Sequence, residues 1–152
     1  MRPLLFVALT FTLVVGVVSM VPAVGQTDDA KLIQGTWVVD PNAYKDVKDQ
    51  EVVKEMKAVR VVFKGDSCTF KHPPGIEEKG SFRLDPSKKP KQIDISPLDG
   101  KEKGKTIRGV YELDGDKLTL HVAYPDSTER PTDLESKEGA MTMSFVLERV
   151  KK

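Results

Sequence analysis

Residues 140–150 alternate with a period of two: Met141, Met143, Phe145 and Leu147 share one parity, and Thr142, Ser144, Val146 and Glu148 the other. Side chains of an extended strand point alternately to opposite faces, so this stretch predicts a strand over Ala140 to Val150 with one apolar face. Similar short runs recur through the chain, separated by Gly, Asp and Pro. They predict strands at Gly35 to Val39, Ala58 to Lys64, Cys68 to Lys71, Gly80 to Leu84, Lys91 to Ile95, Thr106 to Leu113 and Lys117 to Ala123. Lys64-Gly65-Asp66-Ser67 and Asp114-Gly115-Asp116 carry the residues that tight hairpins require. One segment breaks the pattern. Within Tyr44 to Lys57, the apolar residues Val52, Val53 and Met56 fall at helical spacing and predict one short helix.

No strand–helix alternation is present to call for a parallel sheet. The expected class is therefore all-β: an antiparallel, up-and-down barrel of about eight strands with one short helix, closed so that no strand edge is left open. A two-sheet sandwich is compatible with the same periodicities. At 152 residues the chain has the length of one domain.

The first 25 residues differ from the rest. Arg2 is their only charge, an apolar run extends from Leu4 to Val18, and Ala23 and Gly25 are small residues at the minus-three and minus-one positions of a peptidase site. This pattern predicts a secretory signal peptide over 1–25, cleaved after Gly25, with 26–152 as the mature domain. The alternative is a retained anchor, because Leu4 to Val24 nearly spans a hydrocarbon core. Either places the domain outside the cytoplasm, in the periplasm, the cell envelope or the medium.

Without Arg2 the chain carries 23 basic against 23 acidic side chains, interspersed along its length. That balance argues against a nucleic-acid partner, whose phosphates demand a basic surface. Cys68 is the sole cysteine, so no internal disulfide is available, and its strand context reads as a small buried hydrophobe.

Catalytic and metal chemistry find little support. His72 lies in the Pro-rich His72-Pro73-Pro74-Gly75 loop and His121 falls on the outward parity of its strand, neither with a metal-ligand partner at a recognisable spacing. Asp114 and Asp116 flank a turn glycine without the further ligands of a calcium loop. The Gly100–Thr106 stretch ends in Gly-Lys-Thr, but its glycines are one residue too close for a phosphate-binding loop, and it precedes a strand. Asp94 reads as the solvent face of a half-buried strand. Arg130, in the long connection after Tyr124, either anchors that loop to carbonyls or a neighbouring acid, or grips an anionic ligand at a barrel mouth. No catalytic residue, metal or cofactor is expected.

Several blocks together resemble a known group. Leu32-Ile33-Gln34-Gly35-Thr36-Trp37, Gly80-Ser81-Phe82-Arg83-Leu84-Asp85-Pro86 with Lys89 to Ile95, Gly109 to Leu118 and Arg130-Pro131-Thr132 are similar to a lipocalin-like family of uncharacterised domains found in planctomycete bacteria, over residues 31–150. The resemblance implies a lipocalin-like barrel in an exported protein and brings no activity, cofactor or catalytic residue. It also implies a closing contact, since lipocalins pack a late Arg across a first-strand Trp that follows a Gly. The matching residues are Trp37 and Arg149. Parity agrees, for Arg149 shares the face of Met143 and Leu147, where a guanidinium needs a partner such as an indole. The alternative is an Arg149 that frays into solvent.

The expected function is thus non-enzymatic, with a small apolar or amphipathic ligand held inside the barrel. Phe63, Phe82, Tyr111, Met141, Met143 and Phe145 are the residues expected around that interior. If they fill it completely, the alternative is a structural or protein-interaction module of the cell envelope.

Overall fold

The fold is seen in a computed structural model that describes residues 28–43, 48–135, 137 and 139–151. The leader expected over 1–25, with its cleavage site, lies outside the described residues. Eight strands form one closed antiparallel barrel in sequence order: β1 (Gly35–Val39), β2 (Arg60–Lys64), β3 (Ser67–His72), β4 (Ile76–Asp85), β5 (Lys91–Pro97), β6 (Ile107–Asp114), β7 (Lys117–Ala123) and β8 (Thr142–Arg149). Each strand pairs with the next and β8 returns to β1, with Trp37 opposite Arg149 and Val39 opposite Leu147. Closure satisfies every strand edge and decides for the barrel over the sandwich.

Two hairpins are tight for the reason the sequence supplies. Gly65 and Gly115 hold φ of 64° and 56°, each followed by an aspartate at negative φ, the pattern of a II′ turn. Inward parity then delivers the core: Trp37, Phe63, Tyr111, Leu118 and Leu147 are each at most 1 % exposed.

The described residues hold two short helices where one was expected. α1 (Asp28–Leu32) has five residues and no buried side chain, too short and too polar to show an apolar period. α2 (Gln50–Ala58) is the short helix expected within the Tyr44–Lys57 segment, and it runs one residue past it. Its start is set by Asp49, whose Oδ1 accepts the Glu51 N–H at 3.0 Å as an N-terminal cap.

One further expectation is corrected. Met141 does not face the interior: β8 starts at Thr142, opposite the last paired residue of β7, and Met141 is 60 % exposed beyond it. Parity cannot hold a side chain inward once the partner strand has ended. His121 points outward, as its parity gives, and is buried there at 3 % exposure. The 124–141 connection folds back over this outer face, and Asp133 O lies 2.6 Å from His121 Nδ1. Val110, the cross-strand neighbour of His121, is covered with it.

Candidate functional site

The two ends of the barrel are built differently. At one end lie the β2–β3, β4–β5 and β6–β7 hairpins, together with α1 and the chain entering β1. Trp37 Nε1 donates to Ile33 O at 2.8 Å, which seats the indole under the segment leading out of α1. The Arg149 guanidinium lies 4.2 Å from the centre of the indole ring. It is not frayed. Its Nη1 donates to Gln34 O at 2.6 Å, its Nη2 to Leu32 O, and its Nε to Asp116 Oδ1 at 3.0 Å. One planar group thus ties the first strand, the last strand and the β6–β7 turn. Gly35 is required here: its φ is 119°, and a Cβ would stand 3.3 Å from Arg149 Nη1.

Tyr111 belongs to this closed end as well. Its hydroxyl donates to Asp29 Oδ2 at 2.7 Å, and Lys91 Nζ reaches the same oxygen at 2.8 Å. Burial pushes the Asp29 carboxyl up, but the hydrogen bonds from Lys91 and Tyr111 and the charge of Lys91 outweigh it and hold the group below its ordinary value. The Tyr111 hydroxyl moves the other way, raised by burial and then by its bond to the Asp29 carboxylate. Phe63 and Phe82 meet edge to face, with ring centres 4.9 Å apart, in the packed part of the interior.

The opposite end is open. Here α2, the β3–β4 turn, the loop after β5 and the start of the 124–141 connection surround a cavity of about 390 Å³. Phe70, Ile95, Ile107, Val122, Met143 and Phe145 form its strand walls, and α2 lays Met56 across it with Val59 following. A volume of this size, apolar within and polar at the edge, is that of a small-molecule site. Of the six residues expected around the interior, Met143 and Phe145 line this cavity; Phe63, Phe82 and Tyr111 do not line it, and Met141 is outside.

Three readings of single residues are settled by geometry. Arg130 is a loop anchor: Nη1 donates to Ile93 O at 2.9 Å and Gly109 O at 2.7 Å, and Nη2 to Asp94 Oδ1 at 2.6 Å, all from the outer face. Asp94 is accordingly on that outer face. Cys68 is buried against Gly80, its register partner, and burial pushes its thiol up to about 11, so it is held as the neutral thiol. Among the described residues no group of three or more His, Cys, Asp or Glu is placed to hold a metal ion.

Of the residues that line the cavity, sequence reasoning placed only Met143 and Phe145 there, and Glu78 and Glu55 are among those it missed. Glu78 shares the parity of Gly80, Phe82 and Leu84, but the strand expected from Gly80 in fact begins at Ile76, which brings Glu78 to the mouth. Glu55 precedes Met56 on α2 and carried no signal of its own. No protein-family model matches this sequence, and no curated protein matches it.

Proposed function

We propose that this protein is an exported, non-enzymatic lipocalin-like barrel, of the planctomycete family its sequence resembles, that holds a small apolar or amphipathic molecule at its open end. The observation that carries the reading is the apolar cavity of about 390 Å³ bounded by Phe70, Ile107, Met143, Phe145 and Met56. Leaving that surface against water is unfavourable, at about 25 cal/mol per Å² of apolar area, and an apolar guest removes the cost. Export rests on Arg2, the Leu4–Val18 run and the small residues Ala23 and Gly25. The non-enzymatic part rests on where the reactive side chains stand. Cys68 is a buried neutral thiol, His72 is at the mouth, and His121 is sealed beneath the 124–141 connection.

Native mass spectrometry of the protein purified from its own cell envelope, with the denatured mass recorded beside it, tests this directly. The expected result is a denatured chain starting at Gln26 and a reproducible small added mass under native conditions. A bare mass, with no uptake of decanol or a similar probe, returns the protein to the alternative of an envelope interaction module acting through its outer face.

A further inference from the structure

We infer that the molecule held at the mouth carries a cationic head group: an amphiphile with an apolar body and an ammonium or similar cation. This rests on the mouth being a binding site, as proposed above, and goes further in assigning the charge of its ligand.

The argument is the arrangement of charge around the cavity. Its lining includes four carboxylates, Glu55, Glu78, Asp99 and Glu102, against His72 and Lys79. Lys79 is only nominally part of that set. It alternates to the outer face, between inward Glu78 and inward Gly80, and its charge acts on outward Glu77. Glu78 projects inward beside Phe70, its register partner, and the His72 imidazole lies 4.0 Å from its carboxylate. Glu55 comes from α2, the element lying across the opening. Asp99 uses Oδ1 to accept the Lys79 backbone N–H at 2.8 Å, a bond that leaves its negative charge unneutralised. Only Glu102 meets a lysine, Lys105 at 2.7 Å, and that ammonium is shared with a second acid, Asp126. Lys54, Lys57, Lys101 and Lys103 belong to the same segments, yet all four are exposed and none lines the cavity.

An apolar body in the cavity would therefore place its head among carboxylates in a partly desolvated opening. There an anionic head meets like charge, a neutral head gains nothing, and a cationic head is attracted. Cavity shape alone makes no such distinction. The walls fix the class of the tail and the rim fixes the sign of the head.

Calorimetric titration of the exported protein with decyltrimethylammonium, 1-decanol and decanoate, each below its micellar concentration, separates the two claims. At about pH 8, above the ordinary imidazole range, the ammonium is expected to bind about five- to tenfold tighter than the alcohol, with decanoate weakest. Glu55→Gln/Glu78→Gln, which alters two exposed carboxylates, should remove most of that preference, read as the ratio of the ammonium's affinity to that of decanol in the same variant. The preference should also shrink in about 0.5 M salt. Decanol binding with no preference for the ammonium, or a preference kept by the double variant, overturns the head-group inference while the mouth remains a binding site. Failure of all three probes to bind overturns both.

Discussion

The closed end and the mouth are made from the same eight strands with the same inward parity, yet they reach opposite outcomes. At the closed end, Trp37, Tyr111, Leu118 and Leu147 are sealed, and polar groups are placed where each finds a partner: Arg149 on two carbonyls and Asp116, Tyr111 and Lys91 on Asp29. At the mouth, Phe70, Ile107, Met143 and Phe145 are only partly buried, and of the rim carboxylates Glu55, Glu78, Asp99 and Glu102 only Glu102 meets a lysine. The difference comes from what covers each end. Tight II′ turns and α1 leave no room at one, whereas longer connections and α2 stand back from the other. The sealed, fully partnered groups thus lie at one end and the open apolar cavity at the other. Substitutions at the two ends should separate stability from guest binding.

The largest expected effect is Trp37→Ala. The indole is fully buried, so its loss should cost about 3–5 kcal/mol, as for other large aromatic deletions in a packed core. Urea unfolding would measure it, and an unchanged midpoint would remove Trp37 from the centre of the closed end. Next comes Arg149→Met, expected to cost about 2 kcal/mol, because the stacked cation is lost and the carbonyls of Leu32 and Gln34 lose their donor. Arg149→Lys should recover only part of this, since an ammonium cannot reproduce the planar fork. Full recovery by lysine would mean that charge alone, not geometry, joins β1 to β8.

How far the sequence made this asymmetry legible follows from what alternation encodes. Period two announces a strand and the face each side chain takes, so the strands were legible, whereas the barrel stood beside a sandwich, the two turns came from their Gly-Asp chemistry, and the Trp37–Arg149 contact came from the lipocalin-like resemblance with parity in agreement. Period two says nothing about what lies over a face. His121 has the outward parity expected of it and is nonetheless buried, because the 124–141 connection covers it through Arg130 and Asp133. Nor does alternation mark where a strand stops: Met141 keeps the apolar parity one residue beyond β8, and Glu78 lies two residues before the expected start of its strand. Strand ends depend on partners far away in sequence, and the mouth is built from strand ends. Phe63, Phe82 and Tyr111 keep their inward parity but pack away from the cavity, and of the six residues expected around the interior only Met143 and Phe145 line it.

At the mouth a deletion should behave differently from Trp37→Ala. Phe70 faces an existing cavity and is already partly exposed, so Phe70→Ala leaves little new void and should cost about 1 kcal/mol. The same variant should weaken decanol binding severalfold, an effect Arg149→Met should not have. If Phe70→Ala destabilises as much as Trp37→Ala, the mouth is part of the packed core, and the division between the two ends fails.

The smallest expected effect is electrostatic and belongs to the closed end. Asp29 is drawn below its ordinary carboxylate value by Lys91 and Tyr111, against the opposing pull of burial. A depressed folded value means that folding favours the ionised form. Its contribution is therefore fully present above the unfolded carboxylate range, at about pH 4–5 and higher, and disappears as pH falls through the folded value. Asp29→Asn keeps an oxygen acceptor for the Tyr111 hydroxyl but has no proton to gain. Glu77, Asp85 and Asp133 are also lowered, but by exposed partners that both proteins share, so they cancel in the comparison. The wild type should accordingly lose its advantage over Asp29→Asn as pH falls below about 4. The difference should be on the order of 0.5 kcal/mol, because Lys91 is 39 % exposed and its charge is screened. Urea midpoints for both proteins between about pH 3 and 7 would show it, and parallel curves would mean that Asp29 anchors Tyr111 by hydrogen bonding without a net charge effect.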